Sequence, residues 1–435
     1  MKSVDIIGYE RVVPVSQEVD VVVVGGGIAG ACAACASARE GLKTILVERF
    51  AFLGGDGTSG GVRGFCGPTL GQGEIFDEII SDLEKFKAVG PIKKSFLGAR
   101  RYNHEILGIV LQELALRHGV KLFLHARFVD VIVKDGVILH AIIQGKSGLE
   151  AIKGKFFIDC SGEADLAVAA GCETMKGRDE DGVQLPMSIM FYVQRESIFK
   201  RAPIIPADYF PWEPFKSRAD LPMTSFGRLG SSGKSVKVKI PGFDATSTEQ
   251  LTAAEIQAHR KMMQVIHYYQ TKMKKNWKLD YCSPIIGIRE GRRVVGEYVL
   301  TLEDLRAGRE FEDAIAVGAY PLDAHKPDDD KRTYILKREE MKVPPYQIPL
   351  RSLVAKGMKN LVVAGRNFSS DQLALSSARV MTTCAMMGQA AGVAAALCIE
   401  ENVNASGLEQ SRVEKIMEKL IGYGAKLDLD FYRNL

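Results

Sequence analysis

The most apolar stretch of the chain lies near its start and changes its period part-way along. Val21–Val24 is a β-branched run of strand length, and the residues after the glycines at 25–27 are small and helically spaced. Leu42–Glu48 (LKTILVE) is a second apolar run of strand length. This order predicts a strand, a tight turn, a helix and a second strand, which together make a βαβ unit.

Three further patterns extend this sheet. Residues 120–145 alternate around Asp135–Gly136, which predicts a β-hairpin. Leu361–Val363 reads as a buried strand, and the small, apolar run 380–397 predicts a helix packed on the sheet. We therefore predict an α/β fold with a discontinuous Rossmann-like domain.

Between these pieces the composition changes. Five prolines between residues 203 and 222 interrupt any long helix, and SVKVKI (235–240) alternates as an exposed strand does. Farther along, Thr252 and Glu255 have the spacing of a capping box, which predicts the start of a helix. We expect this region to form an inserted α+β domain.

The turn after the first strand carries a glycine pattern with a physical purpose. Gly25, Gly27 and Gly30 form G-x-G-x-x-G, which serves a tight turn, close backbone approach to a pyrophosphate, and packing of helix on strand. Glu48 follows Gly30 by eighteen positions, where a carboxylate binds a ribose hydroxyl. The alternative is an ordinary glycine-rich turn, but the complete order of elements favours a dinucleotide site.

Composition excludes several other classes of protein. The chain has 435 residues, with 57 Lys+Arg against 53 Asp+Glu, and its basic residues come in short pairs. We therefore expect neither a nucleic-acid stripe nor a polybasic membrane patch. Residues 19–38 are apolar, but Asp20 and four glycines argue against a membrane span. Eight scattered cysteines and a start (MKSVDIIGYE) without an apolar signal core favour a reducing cytoplasm.

After the second strand the chain continues as RFAFLGGDGTSGGVRG, a glycine-rich loop. The combination DVVVVGGGIAG…ILVERFAFLGG resembles the N-terminal signature of FAD-dependent oxidoreductases of the glutathione-reductase and fumarate-reductase structural class. FFIDCSGEADLAVAAG (156–171) and the segment 346–396 are similar to later motifs of that class, and 287–301 and 318–327 resemble one largely uncharacterised subfamily. The resemblance covers residues 178–280 poorly.

This resemblance implies a Rossmann-like FAD-binding domain that holds its FAD non-covalently, because no histidine falls within 49–61. The glycine-rich loop would lie beside the ribityl chain and the flavin, and the backbone near Phe128 beside the adenine. The implied cofactor-binding residues are Gly25, Gly27, Ala29, Gly30, Glu48, Arg49, Gly54, Gly55, Gly60, Gly61, Phe128, Gly162, Gly365 and Arg366.

The same patterns divide the chain into five segments. Residues 1–175 and 345–435 form the first and last parts of the FAD-binding domain, and 281–301 return to it. Residues 176–280 form the cap or substrate domain, and 302–344 are expected to add cap-associated loops.

Two kinds of site, a redox cysteine pair and a metal site, are not expected from the sequence. Soon after the glycine-rich loop, where a disulfide reductase of this class has its redox cysteine pair, the chain has only Cys66, so we do not expect a disulfide reductase. Cys32 and Cys35 lie on the first predicted helix, where two buried thiols are expected rather than a redox pair. The seven histidines show no metal-ligand spacing, so we predict no metal site.

Arginines are the candidates for substrate binding. Guanidinium groups suit a carboxylate or an enolate-like substrate, although the segment REGRR could instead form ion pairs with Glu290 and Glu297. The candidates for substrate binding are Arg63, Arg289, Arg292 and Arg293, with Tyr102, His104 and His325 as candidates for proton transfer. Arg379 is a catalytic candidate for another reason, because the helix start near it would place its positive dipole end beside the flavin ring; the alternative is a core helix with a solvated arginine.

The function predicted from these features is that of an FAD-dependent oxidoreductase. It passes a hydride or an electron pair between a small organic substrate, for which the arginines favour a carboxylate, and an acceptor that the sequence does not name. Two alternatives stay open: a flavoprotein subunit that relays electrons within a complex, and a thiazole-synthase-like enzyme with an NAD-derived nucleotide.

Overall fold

The computed structural model describes residues 7–93, 98–229 and 233–435. The other residues of the segments assigned above, 1–6, 94–97 and 230–232, lie outside the described residues. The strands are β1 (Val15–Val24), β2 (Thr44–Val47), β3 (Gly64–Phe65), β4 (Arg100–Arg101), β5 (Lys121–Phe123), β6 (Arg127–Lys134), β7 (Val137–Gly145), β8 (Gly148–Asp159), β9 (Thr174–Lys176), β10 (Met187–Arg195), β11 (Thr224–Leu229), β12 (Gly233–Ile240), β13 (Trp277–Cys282), β14 (Arg292–Val294), β15 (Ala314–Gly318), β16 (Tyr346–Pro349) and β17 (Leu361–Val363). The helices are α1 (Ile28–Arg39), α2 (Glu74–Lys85), α3 (His104–Arg117), α4 (Asp165–Ala169), α5 (Thr248–Thr271), α6 (Leu302–Ala307), α7 (Gln372–Ala378), α8 (Met381–Glu400), α9 (Gln410–Gly422) and α10 (Leu429–Arg433).

The main sheet has the order β5-β2-β1-β8-β7-β6, with β17 also paired to β8. β1 runs parallel to β2 and β8, and β17 parallel to β8, so the predicted Rossmann-like α/β core is confirmed. The predicted hairpin joins β6 and β7. Asp135 and Gly136 both have positive φ angles, 51° and 75°, as a tight primed turn requires.

One face of the sheet is covered by α1 and α8, which pack on each other closely. A Cβ at Gly388 would overlap the carbonyl oxygen of Ala29, so only glycine permits this approach. Cys32 and Cys35 are free and buried in α1, and burial raises the pKa of Cys35 to about 12. α8 is long and apolar enough to cross a membrane, but 94% of it is buried inside the protein, as in a core helix.

We expect Gly388→Ala to destabilise the protein by about 1–3 kcal/mol, because the added carbon forces α1 and α8 apart. The denaturant midpoint, followed by circular dichroism, measures the effect. Gly422→Ala is the matched control, since a Cβ there meets nothing within 4 Å. A midpoint for Gly388→Ala equal to that of the wild type would show that the two helices do not need the glycine.

The inserted domain is a four-stranded antiparallel sheet, β11-β12-β10-β13, with α5 packed against it. It has a hydrophobic core of its own, to which Val236, Val238 and Ile266 belong. We call this domain the cap.

The segment 302–344 departs from its expected role as cap-associated loops. Leu305 and Ile315 are fully buried in the main core, because α6 turns its leucines inward and β15 is apolar and pairs with β16. Later residues of the segment contact the cap, where the carbonyl oxygen of Asp330 accepts a hydrogen bond from the backbone N–H of Met223 (2.6 Å).

Candidate functional site

A cavity lies at the carboxyl ends of the parallel strands, where ligands bind in open α/β sheets. The glycine-rich loop reaches it because the backbone N–H of Gly54 donates to the carbonyl oxygen of Gly26 (2.7 Å). Most of the predicted cofactor residues line this cavity: Gly25, Gly27, Ala29, Glu48, Arg49, Gly54, Gly55, Phe128, Gly162, Gly365 and Arg366.

The three glycines of the first turn have different surroundings. Gly25 has a positive φ of 97°, and a Cβ on it would overlap the carbonyl oxygen of Cys160. A Cβ at Gly30 would overlap the carbonyl oxygen of Gly25, so Gly30 packs helix on strand and does not line the cavity. A Cβ at Gly27 would meet nothing within 4 Å, so this position faces open space at the start of α1.

Glu48 directly follows β2 and is buried beside this turn. Its Oε2 accepts a hydrogen bond from the backbone N–H of Gly26 (2.6 Å), and its Oε1 accepts one from the backbone N–H of Phe50 (2.8 Å). Burial raises the pKa of its carboxyl group. Because a carboxylate has about four acceptor positions, both oxygens can still accept a hydroxyl.

Two arginines that line the cavity, Arg49 and Arg366, interact with the buried carboxylate of Glu163. Arg366 Nη2 donates to Glu163 Oε1 (2.7 Å), and Arg49 Nη2 lies 3.6 Å from Glu163 Oε2. Gly162 makes room for the guanidinium group, since a Cβ there would lie 2.5 Å from Arg366 Nη2. Arg366 Nη1 is buried and has no hydrogen-bond partner within the described part of the chain, so it can donate to a bound anion.

Gly60 and Gly61 lie away from the cavity, contrary to the expectation that they line the cofactor site. The carbonyl oxygen of Gly61 accepts a hydrogen bond from the hydroxyl of Tyr192 on β10 (2.7 Å). Their part of the loop therefore joins the nucleotide domain to the cap. Arg63 follows them and lies over the Tyr192 ring, 5.3 Å from its centroid, also outside the cavity.

Beside the cavity, three basic side chains meet at the boundary with the cap. We call Lys237, Arg289 and Arg379 the cation cluster. Arg379 lines the cavity, and its Nη2 lies 3.4 Å from Asp323 Oδ2, while its Nε is buried without a partner among the described residues. Arg289 is buried directly after Ile288, which lines the cavity, and its Nη1 donates to the carbonyl oxygen of Pro186 (2.5 Å).

Burial and neighbouring positive charges lower the pKa values of two members of the cation cluster. Burial, followed by the charge of Arg379, lowers the pKa of Arg289 to about 10. Burial, followed by the charge of Arg289, lowers the pKa of Lys237 to about 8. The carboxylate of Asp323 acts on both Lys237 and Arg289, and the carboxyl group of Asp56 also acts on Arg289. In spite of burial, the hydrogen bond with His325 and the charges of Arg379 and Arg289 hold the pKa of Asp323 well below its usual range. The cluster therefore holds more positive than negative charge.

Sequence reasoning missed Lys237 and Asp323. Lys237 lies in the region that the family resemblance covers poorly, yet the alternation of SVKVKI does carry a signal. Val236 and Val238 point into the cap core, so Lys237 lies on the other face of β12.

The three candidates for proton transfer are placed differently. His325 is buried, and its Nε2 lies 3.3 Å from Asp323 Oδ1, so it adjoins the cation cluster. Burial lowers its pKa, which favours the neutral imidazole. The hydroxyl of Tyr102 donates to the carbonyl oxygen of Val62 (2.9 Å), and His104 stacks on Tyr192 with ring centroids 5.4 Å apart. Neither of these two lines the cavity.

The other arginines of REGRR have structural partners. Arg293 is fully buried, pairs with Glu290, and donates to the carbonyl oxygen of Ser370 (2.8 Å). Arg292 pairs with Asp165 (2.9 Å). The expected ion pair with Glu297 does not form among the described residues; Glu297 accepts from the backbone N–H of Gly407 instead.

Comparison with known proteins identifies the family to which this chain belongs. Residues 20–420 match the profile of a family described as FAD dependent oxidoreductase. The chain belongs to this family. This FAD-dependent oxidoreductase is therefore a flavoprotein enzyme whose cofactor is FAD.

Curated relatives of the oxidoreductase match only part of it. The thiamine thiazole synthase of Methanococcus vannielii is 33% identical over 179 residues, which are 39% of this chain and 64% of that protein. A digeranylgeranylglycerophospholipid reductase of Thermoplasma volcanium is 26% identical over 176 residues, which are 36% of this chain and 42% of that protein. The chain thus spans less than two thirds of the length of these relatives.

Solved structures match the FAD-dependent oxidoreductase over nearly its whole length. A geranylgeranyl bacteriochlorophyll reductase-like protein from Thermoplasma acidophilum has a TM-score of 0.50 at 14% identity, covering 96% of this chain and 90% of that chain. The p-nitrophenol 4-monooxygenase of Pseudomonas putida has a TM-score of 0.51 at 11% identity, covering 94% and 88%. At such low identity these likenesses show a shared fold alone.

Proposed function

We propose that this FAD-dependent oxidoreductase moves a hydride or an electron pair between a small organic carboxylate and a separate acceptor. The observation that carries the proposal is the cation cluster, in which the charges of two arginines and a lysine act on one another at the edge of the cavity. Two carboxyl groups, Asp323 and Asp56, lie beside these cations, and burial raises the pKa of Asp56, which disfavours its negative charge. Such an excess of buried positive charge is costly unless an anion balances it. A substrate carboxylate would supply that anion.

The residues around the cavity suit FAD held without a covalent bond. The pyrophosphate would lie on the backbone N–H groups at the start of α1, beside Gly27, because these groups have no partner within the helix. Glu48 would accept the ribose hydroxyls, and Phe128 would adjoin the adenine. The cavity continues past Gly365 toward Ile288 and Arg379, so the ring end of the cofactor would meet the cation cluster. Bound FAD supplies the electron chemistry.

The chain's own part in the reaction is to bind and orient the substrate. Arg289 and Arg379 can each donate two parallel hydrogen bonds to a carboxylate, which fixes its plane as well as its position. Asp323 holds Arg379 in place, and His325, neutral beside Asp323, can accept or return a proton. Because Arg289 is buried and the side chain of Arg379 is only 14% exposed, their attraction for an anion is stronger than it would be in water.

Oxidation of carboxylic acids under anaerobic conditions tests the proposal. Each acid is mixed with the FAD-loaded enzyme, and loss of the flavin absorbance is followed. The methyl ester of the same acid is the matched control, since it keeps the reacting carbon and removes the charge. We expect bleaching by the acid and little by the ester; equal bleaching by both would contradict a carboxylate substrate.

The pKa of about 8 for Lys237 leads to a pH dependence. Its folded-state pKa is lowered, so the ammonium charge is present below pH 8 and is lost as the pH rises through that value. We expect kcat/KM for an anionic substrate to fall by up to about tenfold for each pH unit above 8. Lys237→Arg, which stays charged, should remove this fall.

Lys234→Arg, on the same strand, is the control and should keep the wild-type profile. A fall with pH that persists unchanged in Lys237→Arg would assign the titration to another group.

A thiazole-synthase-like activity with an NAD-derived nucleotide is the second candidate, and the partial similarity to thiamine thiazole synthases favours it. That similarity covers 39% of this chain, so the support is limited. Denaturing the purified protein and measuring the mass of the released nucleotide separates the two: FAD supports an oxidoreductase, and an NAD derivative supports the synthase.

Four further inferences from the sequence stay predictions: the alternative of an electron-relay subunit, the lack of a nucleic-acid partner, the lack of a metal site, and a cytoplasmic location. The location is supported by the cysteines, all eight of which are unpaired. We propose it on that ground, since a reducing compartment keeps thiols free.

A further inference from the structure

The cap carries an apolar turn that nothing in the described part of the chain covers. Ser197–Lys200 lie between β10 and α5, and in this turn the side chain of Ile198 is 77% exposed and that of Phe199 is 93% exposed. The turn is closed by a hydrogen bond from the backbone N–H of Lys200 to the carbonyl oxygen of Ser197 (3.1 Å). Two large apolar side chains therefore project from a closed turn.

Asn276 fixes this turn to the segment that follows α5. Its Nδ2 donates to the carbonyl oxygens of Lys200 (2.8 Å) and Ser197 (3.2 Å), and its Oδ1 accepts from the backbone N–H of Ala202 (2.8 Å). The backbone N–H of Glu196 also donates to the carbonyl oxygen of Asn276 (2.8 Å). The turn and the segment before Asn276 thus form one surface.

That surface is rich in positive charge. Both contributing segments supply exposed basic side chains, and none of these forms an ion pair with any described residue. The nearby carboxylate of Glu196 is occupied by Lys278, 3.4 Å away. We call the following residues the cap tip: Ile198, Phe199, Lys200, Arg201, Lys272, Met273, Lys274 and Lys275.

We propose that the cap tip binds the surface of an anionic lipid bilayer. Exposed apolar side chains ringed by lysine and arginine match the two layers of such a surface, where acidic head groups cover an apolar interior. A stable protein partner would need on the order of 1,000 Å² of complementary surface, whereas two projecting side chains suit insertion into a deformable phase. The protein would then lie on the membrane without spanning it.

This proposal differs from the sequence-based expectation that the protein has no polybasic membrane patch. No long basic block exists in the sequence, because the charges come from two short groups, 200–201 and 272–275, that are distant along the chain. The hydrogen bonds of Asn276 bring the groups together. The proposal does not depend on the substrate of the enzyme.

Co-sedimentation of the FAD-loaded, full-length protein with lipid vesicles tests the proposal. We expect binding to vesicles of phosphatidylcholine mixed with phosphatidylserine, weak binding to phosphatidylcholine alone, and loss of binding as salt is added. Phe199→Asp should lower the affinity at least about tenfold, and the pair Lys272→Glu and Lys275→Glu should do the same.

Phe86→Asp is the matched control, because Phe86 is another exposed phenylalanine and lies at the end of α2, outside the cap. All variants should keep the wild-type flavin spectrum, which shows that they fold. No binding to the mixed vesicles would overturn the proposal. So would equal binding by Phe199→Asp and the wild type, or a tip that binds RNA or an acidic protein and not vesicles.

Discussion

Replacing Gly27 by valine should remove FAD from the protein and leave its fold intact. The position faces the cavity, and a Cβ there meets no protein atom within 4 Å, so the added side chain starts into open space. It would fill the space in which the backbone at the start of α1 approaches the pyrophosphate. We expect the affinity for FAD to fall at least about 100-fold, or roughly 2.7 kcal/mol.

The flavin released on denaturation and a titration of the apoprotein with FAD measure this effect. Gly422→Val is the control, because Gly422 is also a glycine whose Cβ would meet nothing within 4 Å, and it lies at the end of α9. It should bind FAD as the wild type does. Unchanged affinity in Gly27→Val would mean that this turn does not hold the cofactor.

Replacing Arg379 by glutamine should raise the KM for an anionic substrate about 100-fold. The variant keeps hydrogen-bonding capacity but loses the charge that balances the carboxylate, and loss of one partner of a buried charge pair costs about 2–5 kcal/mol. The KM of Arg379→Lys should lie between those of the wild type and Arg379→Gln, because lysine restores the charge but lacks the planar guanidinium group. Steady-state kinetics with an acid substrate measure the KM of both variants.

FAD content must be measured alongside, since Arg379 also lines the cavity. Arg412→Gln is the control: this arginine pairs with Glu401 on the surface, away from the cavity, and should behave as the wild type. A wild-type KM for an acid substrate in Arg379→Gln, at full FAD content, would remove Arg379 from the substrate site.

The sequence predicts the nucleotide part of the fold well because its signals are local. Val21–Val24, the glycine turn and Leu42–Glu48 each specify their own conformation, and neighbours in sequence become neighbours in the sheet. The turn at Asp135–Gly136 is equally local, since both residues tolerate the positive φ that the hairpin needs.

Signals in the cap are less direct. Thr252 and Glu255 do not begin α5: the helix starts at Thr248 and is capped by Ser247, whose side chain accepts from the backbone N–H of Gln250. Glu255 instead accepts from the backbone N–H of Ile286 (2.7 Å), a tertiary contact that competes with the local motif. A spacing rule does not include such contacts.

The cation cluster could be predicted only in part for the same reason. Arg289 and Arg379 were identified from motifs, but their meeting with Lys237 and Asp323 depends on how the cap folds over the sheet. Gly60 and Gly61 show the opposite error, since a glycine pair that suggests a ligand instead permits close packing within the protein: Gly60 against Asp56, and Gly61 against Met190 and Tyr192.

The separate hydrophobic core of the cap has a consequence for how such enzymes diversify. Lys237 stands on a sheet that packs on its own apolar interior, whereas the glycine turn and Arg379 belong to the other domain. Substitutions in the cap can therefore change which molecule is accepted without disturbing the nucleotide turn. One electron-transfer scaffold can in this way serve many substrates, each selected by a different cap.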